Sequence, residues 1–259
     1  MNTMPFKCPE CGKSFSSKRA LRIHETESHI KIKRAPTGVP GMDEILFGGI
    51  PESSLVLLAG TCGTGKTTFG FQFLLEGAKR GEPGVYISLE EEPERLVRDA
   101  RRIGLDIKCY VDDGTIQVIR PELYRYDSLV NEIETSIHRT KAKRLVIDSI
   151  TILGSYFRDP FELRRNILDM NRLLKRLNVT TLAVSEIEEG SEKLSRFGVE
   201  EFSVDGVIIL YYIKHGNTFI RAVSVRKMRS SNHSMKIHPI VIRDGGIEVF
   251  PSEEVFADI

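Results

Sequence analysis

Apolar positions fall in short continuous runs separated by polar or amphipathic stretches. Leu55-Val56-Leu57-Leu58 within 54–59, the segment Gly84 to Leu89, Arg144-Leu145-Val146-Ile147 and Thr180–Val184 each have the length and composition of a buried strand. Helical stretches lie between them. One opens near Lys66, one at Pro93 behind a row of acids and continues to about Ile103, and one at Asp159-Pro160-Phe161-Glu162 continues to about Leu177. The last has a capping-box start, with Pro160 at the first helical position. Beyond it, Val207–Tyr212, Phe219–Lys227 and Lys236–Arg243 read as strands, the last turning at Asp244-Gly245-Gly246 into Ile247–Phe250. Strands alternating with helices, followed by hairpins, predict an α/β fold: a mostly parallel sheet with helices on both faces and a C-terminal antiparallel extension.

A chain of 259 residues, 41% of them hydrophobic, can bury such a core and still carry one small extra module. The net charge of +1 gives no argument for a protein that coats nucleic acid or membrane. The average conceals an asymmetry, because residues 1–34 hold eight Lys and Arg against three Asp and Glu, a net of +5, which leaves −4 in the remainder. No apolar run approaches the roughly 18 residues that span a bilayer, and the N-terminus lacks an apolar signal core. The expectation is a cytoplasmic protein without a membrane span. Of the four cysteines, Cys8, Cys11, Cys62 and Cys109, the first two alone are spaced as ligands. This suits a reducing compartment and one metal site.

Cys8 and Cys11 are followed by twelve residues to His24 and four more to His29. That is the spacing of a ββα zinc finger, in which a hairpin knuckle offers two thiolates and a helix offers two imidazoles to one Zn²⁺. Phe6, Phe15 and Leu21 stand where the two-Cys-two-His fingers that it resembles place their small apolar core. The base-reading positions fall on Ser17, Ala20 and Ile23, none of which makes a bidentate contact with a base edge. Lys18, Arg19, Arg22, Lys31, Lys33 and Arg34 can meet phosphates. A protein partner and non-specific nucleic acid both remain open. The expected domains are 1–33, finger and basic linker, and 34–259.

After the strand at 54–59 comes Gly60-Thr61-Cys62-Gly63-Thr64-Gly65-Lys66-Thr67-Thr68, the phosphate-binding G-x-x-x-x-G-K-[ST] pattern between strand and helix. Its glycines let successive backbone N–H groups turn inward towards phosphate oxygens. Lys66 is expected at the β- and γ-phosphates and Thr67 on Mg²⁺. Asp148, at the end of a strand about eighty residues on, has the Walker B position and is the second Mg²⁺ residue. Glu90-Glu91-Glu92 ends the strand before Pro93. These acids complement a helix N-terminus, and they also stand where a carboxylate can orient an attacking water.

Taken together, Thr37-Gly38-Val39-Pro40-Gly41-Met42-Asp43-Glu44-Ile45-Leu46, Gly48-Gly49-Ile50-Pro51, the phosphate loop, Glu90-Glu91, Arg196 to Phe202 with Asp205-Gly206, and Val225-Arg226-Lys227-Met228-Arg229 resemble the KaiC family of the RecA superfamily. The resemblance runs from Thr37 to Phe250. It implies a RecA-like P-loop NTPase core that assembles as a hexamer with ATP between subunits. It also implies Glu90 and Glu91 as water-activating carboxylates, with Lys227 and Arg229 reaching a neighbour's γ-phosphate. Three departures stand out. The chain has one such domain where cyanobacterial KaiC has two, which makes it similar to the single-domain homologues of archaea. Glu201-Phe202 replaces the Ser-Thr pair of the phosphorylated half, so autophosphorylation there is unsupported. Ser230 stands where the family has Gly.

The reading favoured by the residues is a slow, oligomeric ATPase acting as a regulator or switch, with the finger as adaptor. The alternatives are a recombinase-like DNA-binding ATPase and a nucleotide-dependent scaffold with little turnover.

Overall fold

In the computed structural model, which describes residues 6–9, 11–28, 32–122, 125–157, 159–191 and 193–255, the chain divides into the units Met1–Lys33 and Arg34–Ile259. The first holds a hairpin of β1 (Phe6–Lys7) and β2 (Ser14–Phe15), followed by helix α1 (Lys18–Ser28). Ser17 Oγ accepts a hydrogen bond from Ala20 N (3.1 Å) at the start of α1. Phe6 is exposed, Phe15 and Leu21 are half-buried, and Cys8 is buried. So little covered apolar surface does not hold a unit of this size together unaided.

The second unit runs β3 (Arg34–Ala35), α2 (Met42–Ile45), β4 (Ile50–Pro51), β5 (Leu55–Gly60), α3 (Lys66–Lys79), β6 (Gly84–Ser88), α4 (Pro93–Arg102), α5 (Lys108–Asp112), β7 (Ile116–Ile119), α6 (Tyr126–Thr140) and β8 (Arg144–Asp148). A 3₁₀ turn (Ile150–Ser155) then leads to α7 (Pro160–Arg176), β9 (Thr180–Glu186), α8 (Glu200–Ser203), β10 (Gly206–His215), β11 (Thr218–Met228), β12 (His238–Arg243) and β13 (Gly246–Val249). Nine strands form one sheet in the order β13-β12-β11-β10-β5-β9-β8-β6-β7. The six from β10 to β7 are parallel to one another, and β11, β12 and β13 extend the sheet antiparallel. This is the mostly parallel sheet with an antiparallel extension that the alternation predicts.

The inner strands are mainly apolar because both faces are covered. Along β5 the period of two sends Val56 and Leu58 to one face, where Phe69, Phe71, Phe73 and Leu74 of α3 pack. Leu55, Leu57 and Ala59 face the other side, with Leu129 and Ile133 of α6 and Leu163 and Ile167 of α7. The predicted start of α7 is present, Asp159 Oδ1 accepting from Phe161 N at 3.0 Å. The strand expected from Lys236 begins at His238, because Lys236 N donates to Ser234 Oγ (3.2 Å) in a turn. Two buried polar side chains tie distant segments to α3. Arg144, 0% exposed, donates to Pro36 O (2.6 Å), Phe73 O (2.8 Å) and Glu82 Oε2 (2.8 Å) and lies over the Phe73 ring. Gln72 mimics a strand partner, accepting from Ile247 N (2.7 Å) and donating to Ile247 O (3.0 Å).

Candidate functional site

Strand β5 ends at Gly60 and α3 opens at Lys66, so residues 61–65 make the whole connection. A Cβ on Gly60 would lie 2.5 Å from Leu210 O and 2.8 Å from Thr64 Oγ1, and Gly65 has φ 104°, which L side chains rarely adopt. Within the loop, Thr64 Oγ1 donates to Thr61 O (2.9 Å), and Lys66 Nζ donates to Gly60 O (3.0 Å) and Thr61 O (2.8 Å). From the extended β10–β11 hairpin, Tyr212 OH (3.0 Å) and Arg221 Nε (3.3 Å) both donate to Gly63 O. Thr61 Oγ1 is buried without a partner. A polar atom orphaned in a glycine-rich loop fits a site built to receive a polar ligand.

Because β5, β9, β8 and β6 are parallel neighbours, their C-terminal ends open on the same crevice. The resulting cavity, about 380 Å³, is lined by Cys62, Gly63, Gly65, Lys66, Thr67 and Thr68, by Ser88, Glu90 and Glu91 after β6, by Asp148 and Ser149 after β8, and by Glu186 at the end of β9. Thr67 Oγ1 donates to Asp148 Oδ2 (3.0 Å), as does the Tyr86 hydroxyl. Burial raises the Asp148 pKa, opposed by these two hydrogen bonds and by the Lys66 charge. Burial lowers that of Lys66, opposed by Glu186, Asp148, Cys62 and Glu90. Burial and the adjacent Asp148 push the Tyr86 phenol well above its usual value, so it stays a donor. A hollow of about 630 Å³ between α4 and α5 is larger, but its lining of Val97, Val111, Val118 and charged α4 side chains has no phosphate-binding pattern.

The two consecutive glutamates are not equivalent. Glu90, itself exposed at the mouth of the crevice, accepts through Oε1 from the buried Ser149 Oγ at 3.0 Å. Glu91 is fixed through its backbone, where its N donates to Ser88 Oγ (2.9 Å), while its carboxylate pairs with Arg95 at 3.3 Å on the exposed face of α4. Tyr86, Ser88, Ser149 and Glu186 were not legible as site residues. Ser149 and Glu186 had a positional signal, each standing at or just after a strand end, but Tyr86 sits inside an apolar strand and reaches Asp148 only through the sheet register.

Lys227 and Arg229 lie elsewhere. Gly206 of β10 pairs with Val56 on one side and Met228 on the other, so the end of β11 lies level with the start of β5, at the opposite end of the strands from the phosphate loop. Lys227 Nζ donates to Glu201 O (2.9 Å) and Val204 O (2.6 Å), and burial followed by Arg229 lowers its pKa. Arg229, with a side chain 51% exposed, stands 3.6 Å from Asp205 Oδ1. Neither reaches the cavity of its own chain. Ser230 keeps the left-handed backbone expected of the glycine it replaces, with φ 60°. In the first unit, Cys8, Cys11 and His24 converge with ligand atoms within 4.8 Å of one another. His29 lies outside the described residues.

Among the described residues no helix is long and apolar enough to cross a membrane. A family model for the KaiC ATPase matches residues 35–254, and a C2H2-type zinc-finger model matches residues 6–29. A UPF0273 protein of Thermotoga maritima is 37% identical over 239 residues, 86% of this chain and 98% of that protein. The circadian clock oscillator protein KaiC of Parathermosynechococcus lividus is 34% identical over 231 residues, which are 85% of this chain but 43% of that protein. The crystal structure of a KaiC-like protein from the hyperthermophilic archaeon Pyrococcus horikoshii OT3 superposes with a TM-score of 0.78 at 39% identity, over 85% of this chain and all of that one. With a nucleotide-type crevice at the strand ends and a match over nearly all of its second unit, the chain belongs to the KaiC ATPase family.

Proposed function

We propose that the chain is an ATPase that converts ATP and water to ADP and phosphate at a slow, regulatory rate. The observation that carries this is the meeting, in one cavity, of the Lys66 ammonium, the Thr67–Asp148 pair and the Ser149-held carboxylate of Glu90. Backbone N–H groups of 60–68 and Lys66 bind the β- and γ-phosphates. Thr67 and Asp148 are hard oxygen donors of the kind Mg²⁺ takes, and the ion would supply charge neutralisation on the phosphates. Glu90 accepts the proton of a water whose oxygen attacks the γ-phosphorus, while the bond from that phosphorus to the β–γ bridging oxygen breaks. Ser149 holds Glu90 in position, and Tyr86 holds Asp148.

Lys227 and Arg229 act on the nucleotide of an adjacent subunit in a ring, a hexamer by family expectation. Their place at the far ends of the strands supports this, because a head-to-tail contact brings one subunit's far strand ends to its neighbour's crevice. The finger is an adaptor for a protein partner or non-specific nucleic acid. Cys8, Cys11 and His24 form the sulfur and nitrogen donor set that suits Zn²⁺, with His29 as the fourth ligand.

The test is nucleotide affinity. Lys66→Ala removes the one side-chain charge of the phosphate loop and is expected to abolish tight ATP binding. An affinity within about twofold of the wild type would overturn the assignment.

A further inference from the structure

Strand β10 continues beyond the end of β5. Its pairing with β5 stops at Leu210 and Gly60, so Tyr212 overhangs the phosphate loop, directly opposite Arg221 of β11. Both side chains donate to the same acceptor, Gly63 O, the Tyr212 hydroxyl at 3.0 Å and Arg221 Nε at 3.3 Å. They also support each other. The Arg221 guanidinium lies over the Tyr212 ring, 4.8 Å from its centre, and Phe219 meets that ring edge-on at 6.0 Å. Water alone could satisfy a loop carbonyl at the surface, so what two converging side chains add is a fixed direction.

The group they fix is the peptide between Gly63 and Thr64. It is planar and trans, so its C=O and its N–H point in opposite directions. A carbonyl tied to the hairpin turns the Thr64 N–H away from the hairpin. Gly63 has no side chain to restrain the rotation that would reverse this peptide. A bond donated to the carbonyl also polarises the unit, more so from a cation, and makes its N–H a better donor to an anion.

We propose that Tyr212 and Arg221 are positioning residues for phosphate binding, which hold Gly63 O so that the Thr64 N–H stays aimed at the phosphates of the bound nucleotide. The proposal rests on the nucleotide reading given above, and it places part of the loop's order in the antiparallel extension of the sheet. A loop held in its binding geometry pays less ordering entropy when the ligand arrives. The pair acts on binding and not on the chemical step, since neither side chain lines the cavity that holds Glu90 and Asp148.

The experiment measures Mg·ATP affinity by calorimetry, and hydrolysis of bound ATP in single turnovers, for the wild type, Tyr212→Phe and the double variant Tyr212→Phe, Arg221→Met. Phenylalanine keeps the ring contacts and the charge, so a loss of affinity in the single variant comes from the hydroxyl's bond. Methionine keeps an apolar stem over the ring without a donor. Tyr212→Phe should weaken ATP binding about threefold to tenfold, the loss of one hydrogen bond, and the double variant at least about thirtyfold. The rate for bound ATP should stay within about threefold, because the lost contact serves ground state and transition state alike. The thermal transition of the nucleotide-free protein should be kept. A lowered transition with unchanged affinity of the folded protein would make the pair merely structural and overturn the proposal. So would a double variant that binds ATP within about twofold of a tightly binding wild type, which leaves the ATP site itself in place. A wild type that does not bind Mg·ATP would sink the nucleotide reading and the proposal with it.

Discussion

Glu90 and Glu91 are chemically identical neighbours, and their difference comes entirely from what surrounds them. Both are exposed and line the cavity, but one carboxylate is held by the buried Ser149 and the other pairs with Arg95 on α4. Loss of a general base typically costs roughly 10²–10⁴-fold, so Glu90→Gln should slow hydrolysis by that order while ATP still binds. Glu91→Gln should stay within about threefold, since an exposed i,i+4 pair contributes little. Single-turnover assays on both variants check this, and equal, large effects would return Glu91 to the chemistry. The sequence placed both acids after a strand and could not rank them, because rank depends on a serine 59 positions away. Lys66, Thr67 and Asp148 were legible, since a glycine-rich loop and a strand-end acid constrain a local backbone. Tyr86 was not, because its role exists only across strands.

At the scale of elements, the parallel sheet was readable from its apolar runs, which have the right length and the right punctuation. The segment between 104 and 143 has no such runs, and it holds the edge strand β7 and helix α6. Strand β7 offers only Ile116–Ile119 at the sheet edge, with Gln117, Val118 and Ile119 half-buried, so its pattern is weak. Arg144 was equally hidden. In the sequence it is the polar first residue of an apolar strand, and in the fold it is a buried cation that joins the segment around Pro36 to α3. Replacing it leaves two carbonyls without their donor and opens a gap beside Phe73. Arg144→Ala should therefore destabilise the second unit by about 2–4 kcal/mol, from the unpaired carbonyls and the packing lost beside Phe73. The measurement is the urea midpoint at unchanged slope. A loss below about 1 kcal/mol would mean that the carbonyls find water instead.

The whole molecule joins two units with different sources of stability. The first has little apolar cover and a three-residue cluster of soft donors, and the second has two continuous apolar cores. A chelator that strips zinc should collapse the amide dispersion of residues 6–28 in NMR spectra while ATP affinity stays within about twofold. Loss of nucleotide binding on chelation would show that the units are coupled. Assembly is the property that the sequence of one chain shows least, since a contact between copies leaves no local periodicity. The exposed Arg229, just past the end of β11 and away from its own phosphate loop, is its main trace. Mixing tests it directly. Lys66→Ala lacks a working phosphate loop and Arg229→Ala lacks the trans cation, so each alone should be nearly inactive. In a randomly mixed ring, an intact loop from one variant meets an intact Arg229 from the other at about a quarter of the interfaces, and hydrolysis should partly return. No gain on mixing, with subunit exchange demonstrated, would contradict an ATP site completed by the neighbouring chain.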